Sequence, residues 1–333
     1  MSDSDKLSLI CSLIEEYIDD KHKRKSWTPG VDWVRYSGPY FSSDEYVSAT
    51  KSLLNEWLVL GEDSIKFENK FPKYFGKKHG ILTNSGSSAN LLMMLALTSK
   101  RLYNLPKGTK VITPVAGFPT KTCAQERVIR SFREWGRGCY CVGKKANLLK
   151  NGMCKKRFNT WLPSLPTETF DHKYVYEEIG YNLKPIELQA SIGLAQLKKI
   201  DIIDSKRKEN YKRLYNFFEK YEEFFILPKP TAKSDPSWFA FPITIKDESP
   251  FARKDIVEFF ENNKIQTRTY FAGNILLQPA YTHLMNPQEV IKKFPVARKV
   301  TTDTFFLGTS PVITMEQIAY IEQKLHEFMK DFL

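Results

Sequence analysis

A chain of 333 residues that is 42% apolar, 26% charged and 14% aromatic can bury a substantial core, and its length suggests about two domains. With 50 lysines and arginines against 38 acidic residues, the formal net charge is +12 and the pI near 9.2, so the surface favours anionic partners. The basic residues are scattered, densest in "KHKRK" (21–25) and "CKKRF" (154–158), and nothing reads as a helix-turn-helix, an aromatic RNA-binding motif or a zinc finger; nucleic acid is not the expected partner.

Residues 1–25 read as an amphipathic helix with charges throughout. Without an uninterrupted apolar core it is neither a signal peptide nor a membrane-spanning segment. Five cysteines, an odd number with no regular framework, fit a reducing compartment, and a cytoplasmic location is expected. "SSDEYVSATKSLLNEWLVLGEDSIKFENKFPKYFG" (42–76) predicts two helices broken at Gly61. "HGILTN" (79–84) reads as a short strand, followed by the junction SGSSAN (85–90) and the apolar helix "LLMMLALTSK" (91–100). "KGTKVITPVAGFP" (107–119) gives a turn, a buried strand over Val111–Pro114 and a loop. Strand, turn, helix and strand in this order make a βαβ unit of a parallel sheet.

After Pro119 the pattern changes. "ERVIRSFREWGRG" (126–138) predicts a helix, then a loop rich in Cys, Lys and Gly runs to about residue 172. "NLKPIELQASIGLAQLKKIDIIDSKRKENYKRLYNFFEKY" (182–221) is one or two long amphipathic helices. "SWFAFPITIK" (237–246) reads as a strand, "RKDIVEFFENN" (253–263) as a helix, "KIQTRTYF" (264–271) as a strand and "TMEQIAYIEQKLHEFMKDF" (314–332) as a closing helix. The division expected is an N-terminal helix and arm (1–44), a large α/β domain (45–204) and a smaller C-terminal α+β domain (205–333).

The junction TNSGSSANL (83–91) packs small, polar residues where the predicted strand meets a helix. A helix N-terminus offers unpaired N–H groups and the positive end of a dipole, and small side chains let a phosphate come close. The same residues also suit an ordinary N-cap that binds nothing.

Several blocks carry a resemblance: "NSGSSANLLMMLALTS", "KGTKVITPVAGFPT", "SFREWGRGCYC", "DHKYVYEEIGYNLKPIELQASIGLAQL", "SDPSWFAFPITIK" and "TRTYFAGNILLQP". In this order, from about residue 45 onward, they resemble the DegT/StrS-type sugar aminotransferases. Within that family they look most like the CDP-4-keto-6-deoxyglucose 3-dehydrase branch of lipopolysaccharide sugar synthesis. The resemblance implies an α/β fold, the fold-type-I PLP-dependent transferase, with a smaller C-terminal domain, assembled as a homodimer.

The resemblance also implies roles. Gly86 and Ser87 hold the cofactor phosphate, Phe118 stacks on the pyridine ring, and Asn182 reaches the cofactor of the partner subunit. Each has a plainer alternative: a tight turn for Gly86, a core aromatic for Phe118, a helix cap for Asn182. Arg268 suits the diphosphate of a CDP-hexose-type sugar nucleotide, with Lys173 and Tyr174 as further candidates, although a guanidinium also makes ordinary surface ion pairs. The branch uses pyridoxamine or pyridoxal phosphate (PMP or PLP) together with a [2Fe-2S] cluster fed by a flavin or iron–sulfur reductase. Cys139, Cys141 and Cys154 match three ligands of that cluster; free thiols or a structural zinc site are the alternatives.

The chain departs from the pattern in one place. The family runs a long segment between AGFPT and the SFR-WGR helix, whereas here "KTCAQERVIRSF" (121–132) follows Thr120 almost at once. The missing piece is on the order of three βαβ units, which implies a reduced parallel or mixed sheet. That segment carries the aspartate on the pyridine nitrogen, the acid–base lysine or histidine, and one cysteine; Cys123 lies near the junction. No catalytic residue is assigned. The expected function is a B6-dependent sugar-nucleotide 3-dehydrase or aminotransferase, or alternatively a catalytically inactive member that acts as a binding or partner subunit.

Overall fold

The computed structural model describes residues 1–24, 26–106, 108–110, 126–138, 158–160, 162–167 and 169–333. These fall into two compact units, one of 1–19 with 42–198 and the other of 20–41 with 199–333.

The first unit is mostly helical. Its elements are α1 (Asp3–Lys23, which runs on past residue 19), α2 (Ser43–Leu54), α3 (Glu62–Tyr74), α4 (Gly86–Thr98), α5 (Glu126–Arg133), β1 (Phe158–Asn159), β2 (Phe170–Asp171) and α6 (Glu187–Leu197). Helix α2 starts in a capping box, with the Glu45 carboxylate accepting the Ser42 N–H at 2.8 Å. The N-cap of α3 is Gly61, which has no side chain to cap with. Glu187, from α6, supplies the cap instead: its carboxylate accepts the N–H groups of Gly61, Asp63 and Ser64 and the Ser64 hydroxyl. Helices α2 and α3 both pack on α6. Among the described residues of this unit, Leu92 and Ala96 of α4 form an apolar cluster with Val128, Ile129 and Phe132 of α5.

The second unit comprises α7 (Ile200–Phe218), β3 (Phe225–Ile226), β4 (Ala240–Ile245), α8 (Arg253–Asn262), β5 (Arg268–Thr269), α9 (Pro287–Lys293), α10 (Pro295–Asp303), β6 (Thr304–Gly308) and α11 (Met315–Met329). The strands form a four-stranded sheet in the order β3-β4-β6-β5, every pair antiparallel. Phe217 and Phe218 of α7, Ile256 and Phe260 of α8, and Ile318, Ile321 and Leu325 of α11 share one core with Phe241, Ile243, Phe305 and Leu307 of the sheet. Val34 joins the unit by a parallel bridge to Ile265, its N–H donating to the Lys264 carbonyl at 2.8 Å. Gly308 is needed where the backbone of Tyr36 crosses the strand, since any Cβ there would collide with the Tyr36 carbonyl.

Four expectations from the sequence change. Residues 79–84 form no strand. The helix begun at Glu126 stops at Arg133, because Trp135 and Gly136 turn into positive φ (60° and 87°). Of 264–271 only Arg268–Thr269 is strand. Strand β6 was not anticipated: all its residues are buried, so TFFLG lacks the alternation that marks a half-buried strand. Val111–Pro114 lies outside the described residues. Among the described residues no helix is long and apolar enough to cross a membrane.

Candidate functional site

The segment Ile81-Leu82, predicted as a strand, finds its backbone partners in side chains. The Leu82 N–H donates to Glu68 Oε1 at 2.9 Å, and the Leu82 carbonyl accepts from Arg133 Nη1 at 2.7 Å. Glu68 is held by Arg133 at 2.7 Å and by Arg130 at 2.6 Å, and Arg133 also reaches Glu134 at 3.1 Å. A buried backbone group must be paired, and here an ion pair does what a neighbouring strand would otherwise do.

This segment delivers the chain to the N-terminus of α4. Ser85 is the N-cap; its Oγ accepts the Ser88 N–H at 3.1 Å and contacts the Ser88 hydroxyl at 3.0 Å. That cap serves the third position of the helix. The N–H groups of Gly86 and Ser87, at the first two positions, donate to no acceptor among the described residues. Both residues are exposed, and a Cβ built on Gly86 would meet no atom within 4 Å. Helices α2 and α3 carry acids in their first turn (Asp44 and Glu45; Glu62 and Asp63), whereas α4 carries none, so its positive end is not neutralised locally. The turn is therefore open, with two N–H donors exposed and no acid in the helix's own first turn.

Asn182 lies beside this turn within the same chain. The Asn84 N–H donates to the Leu183 carbonyl at 3.0 Å, and Asn182 itself forms an antiparallel bridge with Glu134. The stretch from 175 to 183 runs along the end of α5: Tyr181 N–H to Phe132 carbonyl at 2.7 Å, Trp135 N–H to Tyr181 carbonyl at 2.9 Å, Gly138 N–H to Val175 carbonyl at 3.0 Å. Gly136 permits this approach, for a Cβ there would run into the Glu178 carbonyl. The Asn182 side chain is exposed.

A cationic and aromatic cluster adjoins it. Arg137 lies 4.7 Å from the Trp135 ring centre and 5.8 Å from that of Tyr174, and Lys184 Nζ sits 3.6 Å from the Trp135 ring centre. Burial, with help from Arg137 and Arg133, holds the Lys184 amine below the ordinary lysine value, while Glu134 opposes the shift. Lys173 is in a 3-10 turn, His172–Tyr174, and the Tyr174 ring is exposed.

Of the residues singled out from sequence, Gly86, Ser87 and Asn182 converge on one backbone arrangement, with Tyr174 on the adjoining stretch. Arg268 belongs to the second unit, where it is exposed, stacks 4.6 Å over the Tyr36 ring and donates to the Thr267 carbonyl at 2.8 Å. Phe118, Cys123, Cys139, Cys141 and Cys154 lie outside the described residues. Among the described residues no group of three or more His, Cys, Asp or Glu side chains could hold a metal ion. The sequence reading missed Glu68, Arg133, Glu187 and Lys184. Charged residues inside otherwise apolar helical stretches, such as Arg133 in SFREW, were the available signal.

The fold matches solved structures of a sugar-nucleotide dehydratase and an aminotransferase. The chain superposes on Escherichia coli GDP-4-keto-6-deoxy-D-mannose-3-dehydratase with bound hydrated PLP at a TM-score of 0.67, with 19% identity, over 88% of this chain and 99% of that one. It also superposes on Helicobacter pylori PseC, an aminotransferase of pseudoaminic acid biosynthesis, at a TM-score of 0.65 with 15% identity, over 90% of this chain and 100% of that one. The family model described as the DegT/DnrJ/EryC1/StrS aminotransferase family matches residues 40–128 and 161–326, and the chain belongs to that family. It is similar to the lipopolysaccharide biosynthesis protein RfbH of Salmonella typhimurium, 29% identical over 96% of this chain and 97% of the relative. It is 28% identical to the dTDP-4-dehydro-2,6-dideoxy-D-glucose 3-dehydratase of Saccharopolyspora spinosa, over 94% of this chain and 90% of that one. An alignment of 431 positions that takes in 96% of a 333-residue chain leaves about 110 positions of RfbH facing no residue here.

Proposed function

We propose that the chain binds a B6 phosphate, pyridoxamine or pyridoxal phosphate, and a nucleotide sugar, as a member of the 3-dehydratase branch of its family. One observation carries the reading: the N–H groups of Gly86 and Ser87 stand open at the start of α4, a helix whose first turn bears no acid and whose sequence falls within the family match. In this reading those amides and the Ser87 hydroxyl hold the phosphate, and Phe118 covers the ring. Asn182 of a second copy completes the site in a homodimer. Arg268 is the residue assigned to the diphosphate of a CDP-hexose, and Lys173 and Tyr174 are separate candidates for substrate contact. When bound, the B6 ring supplies an electron sink for bonds broken next to the sugar's keto carbon. Cys139, Cys141 and Cys154 match three of the four thiolates that a [2Fe-2S] cluster takes, and the fourth is missing from the matched blocks; the cluster, a reductase partner and a cytoplasmic setting belong to the same proposal.

A second reading, binding without turnover, draws support from the RfbH positions without counterpart, which we place after Thr120. The pyridine-nitrogen aspartate and the acid–base lysine or histidine would lie there. Three buried carboxylates of the first unit are already engaged: Glu68 by Arg130 and Arg133, Glu187 by the start of α3, and Glu45 by Ser42 and Gln196.

An absorbance titration with pyridoxamine phosphate and pyridoxal phosphate, from the near-ultraviolet to the visible, separates the outcomes. A saturable spectral change is expected. Turnover of a CDP-4-keto-6-deoxyhexose in the presence of a reductant selects the first reading, and binding without turnover selects the second. No spectral change at all contradicts both.

A further inference from the structure

We propose that Arg133, acting with Glu68, is a positioning residue that aims the open amides of α4 at the phosphate; the inference rests on the B6-phosphate reading above. Arg133 is 0% exposed and Glu68 9%, at the ends of a 2.7 Å ion pair. A buried ion pair is weak evidence for stability, because apolar residues of equal volume serve at least as well. What this pair does that apolar residues cannot do is take both polar backbone groups of Leu82, three residues before the N-cap Ser85: the N–H goes to Glu68 and the carbonyl to Arg133.

The backbone of Arg133 completes a ring of contacts. Its carbonyl accepts the Leu183 N–H at 3.0 Å, and the Leu183 carbonyl accepts the Asn84 N–H at 3.0 Å. Side chain to Leu82, chain to Asn84, hydrogen bond to Leu183, hydrogen bond back to Arg133: the circuit closes. One residue thus fixes both the serine–glycine turn and the stretch that carries Asn182. Arginine suits the task because its planar fork reaches Glu68 and Leu82 through Nη1 and Glu134 through Nη2 at once, which a lysine ammonium cannot do in the same plane.

The test is isothermal titration of the full chain with pyridoxamine phosphate and with its unphosphorylated parent, pyridoxamine. The variants are Arg133→Lys and the paired Glu68→Gln/Arg133→Met, which leaves no lone charge at these two positions. The wild-type chain is expected to prefer the phosphorylated ligand. Both variants are expected to lose about tenfold in affinity for it, the scale of one misdirected hydrogen bond to a charged group, with pyridoxamine binding little changed; the thermal unfolding midpoint is expected to fall because Leu82 and Glu134 lose partners, so both titrations are run well below it. Equal losses for both ligands would reveal a merely structural role and overturn the proposal, as would full retention of the phosphate preference by either variant. A wild-type chain without that preference would instead sink the B6-phosphate reading, and this inference with it.

Discussion

The two units are held together by different means. In the second, a four-stranded sheet is packed by apolar side chains from α7, α8 and α11, and Phe218, Phe241, Phe260 and Phe305 are wholly buried. Among the described residues of the first, the apolar cluster is small, and buried glutamates take over backbone groups: Glu187 caps α3, Glu45 caps α2 and Glu68 holds Leu82. Apolar packing is non-directional and tolerates reshaping, whereas a carboxylate on two or three amides fixes their direction. The unit with directed polar contacts is also the one that carries the open turn of α4. Helix α4 itself is apolar nearly all round, yet Leu91 and Met94 are exposed; a helix of that composition is usually buried.

The contrast can be broken at either end. Phe241→Ala removes a ring that touches Tyr211 and Phe218, and it is expected to destabilise the second unit by about 4 kcal/mol. Hydrogen exchange resolved by segment would show the loss in α7, β4 and β6. An equal loss in α2 and α3 would mean that the units do not differ as described.

Glu187→Ala strips the start of α3 of its cap and is expected to destabilise the first unit by about 3 kcal/mol, with Glu187→Gln recovering part of it. The exchange rates of Asp63 and Ser64 are the reporters. If they stay slow in the alanine variant, the carboxylate is not what holds that turn.

A smaller effect is expected at Lys184. Its amine is held below the ordinary value of 10.5 chiefly by burial. Below that depressed value both folded and unfolded chains are protonated. Between it and 10.5 the unfolded chain holds the extra proton, so stability should rise with pH through this window. Lys184→Met removes the rise, measured as the unfolding midpoint in denaturant against pH. An unchanged rise in the variant would assign it to another group.

Much of the second unit was legible because α8, α11 and β4 show clean helical or alternating patterns with recognisable ends. Thr314 and Gln317, for example, make a capping box at the start of α11. Strand β6 was missed for the opposite reason: a strand buried on both faces has no alternation to read. In the first unit the serine–glycine junction was legible as a helix start. The false strand at 79–84 was not recognisable, because what replaces its partner strand is a carboxylate at 68 and a guanidinium at 133, and no local pattern encodes that pairing. The early end of α5 turns on Trp135 adopting positive φ, a conformation that its residue type does not announce.

Everything functional depends on the first two amides of α4 meeting a phosphate. Amide chemical shifts of the isotopically labelled chain, followed while pyridoxamine phosphate is added, test this directly. The resonances of Gly86 and Ser87 are expected to move downfield and to saturate together, while amides at the start of α3, already taken by Glu187, stay in place. Ligand binding that leaves Gly86 and Ser87 unmoved would contradict the assignment of the phosphate to this turn.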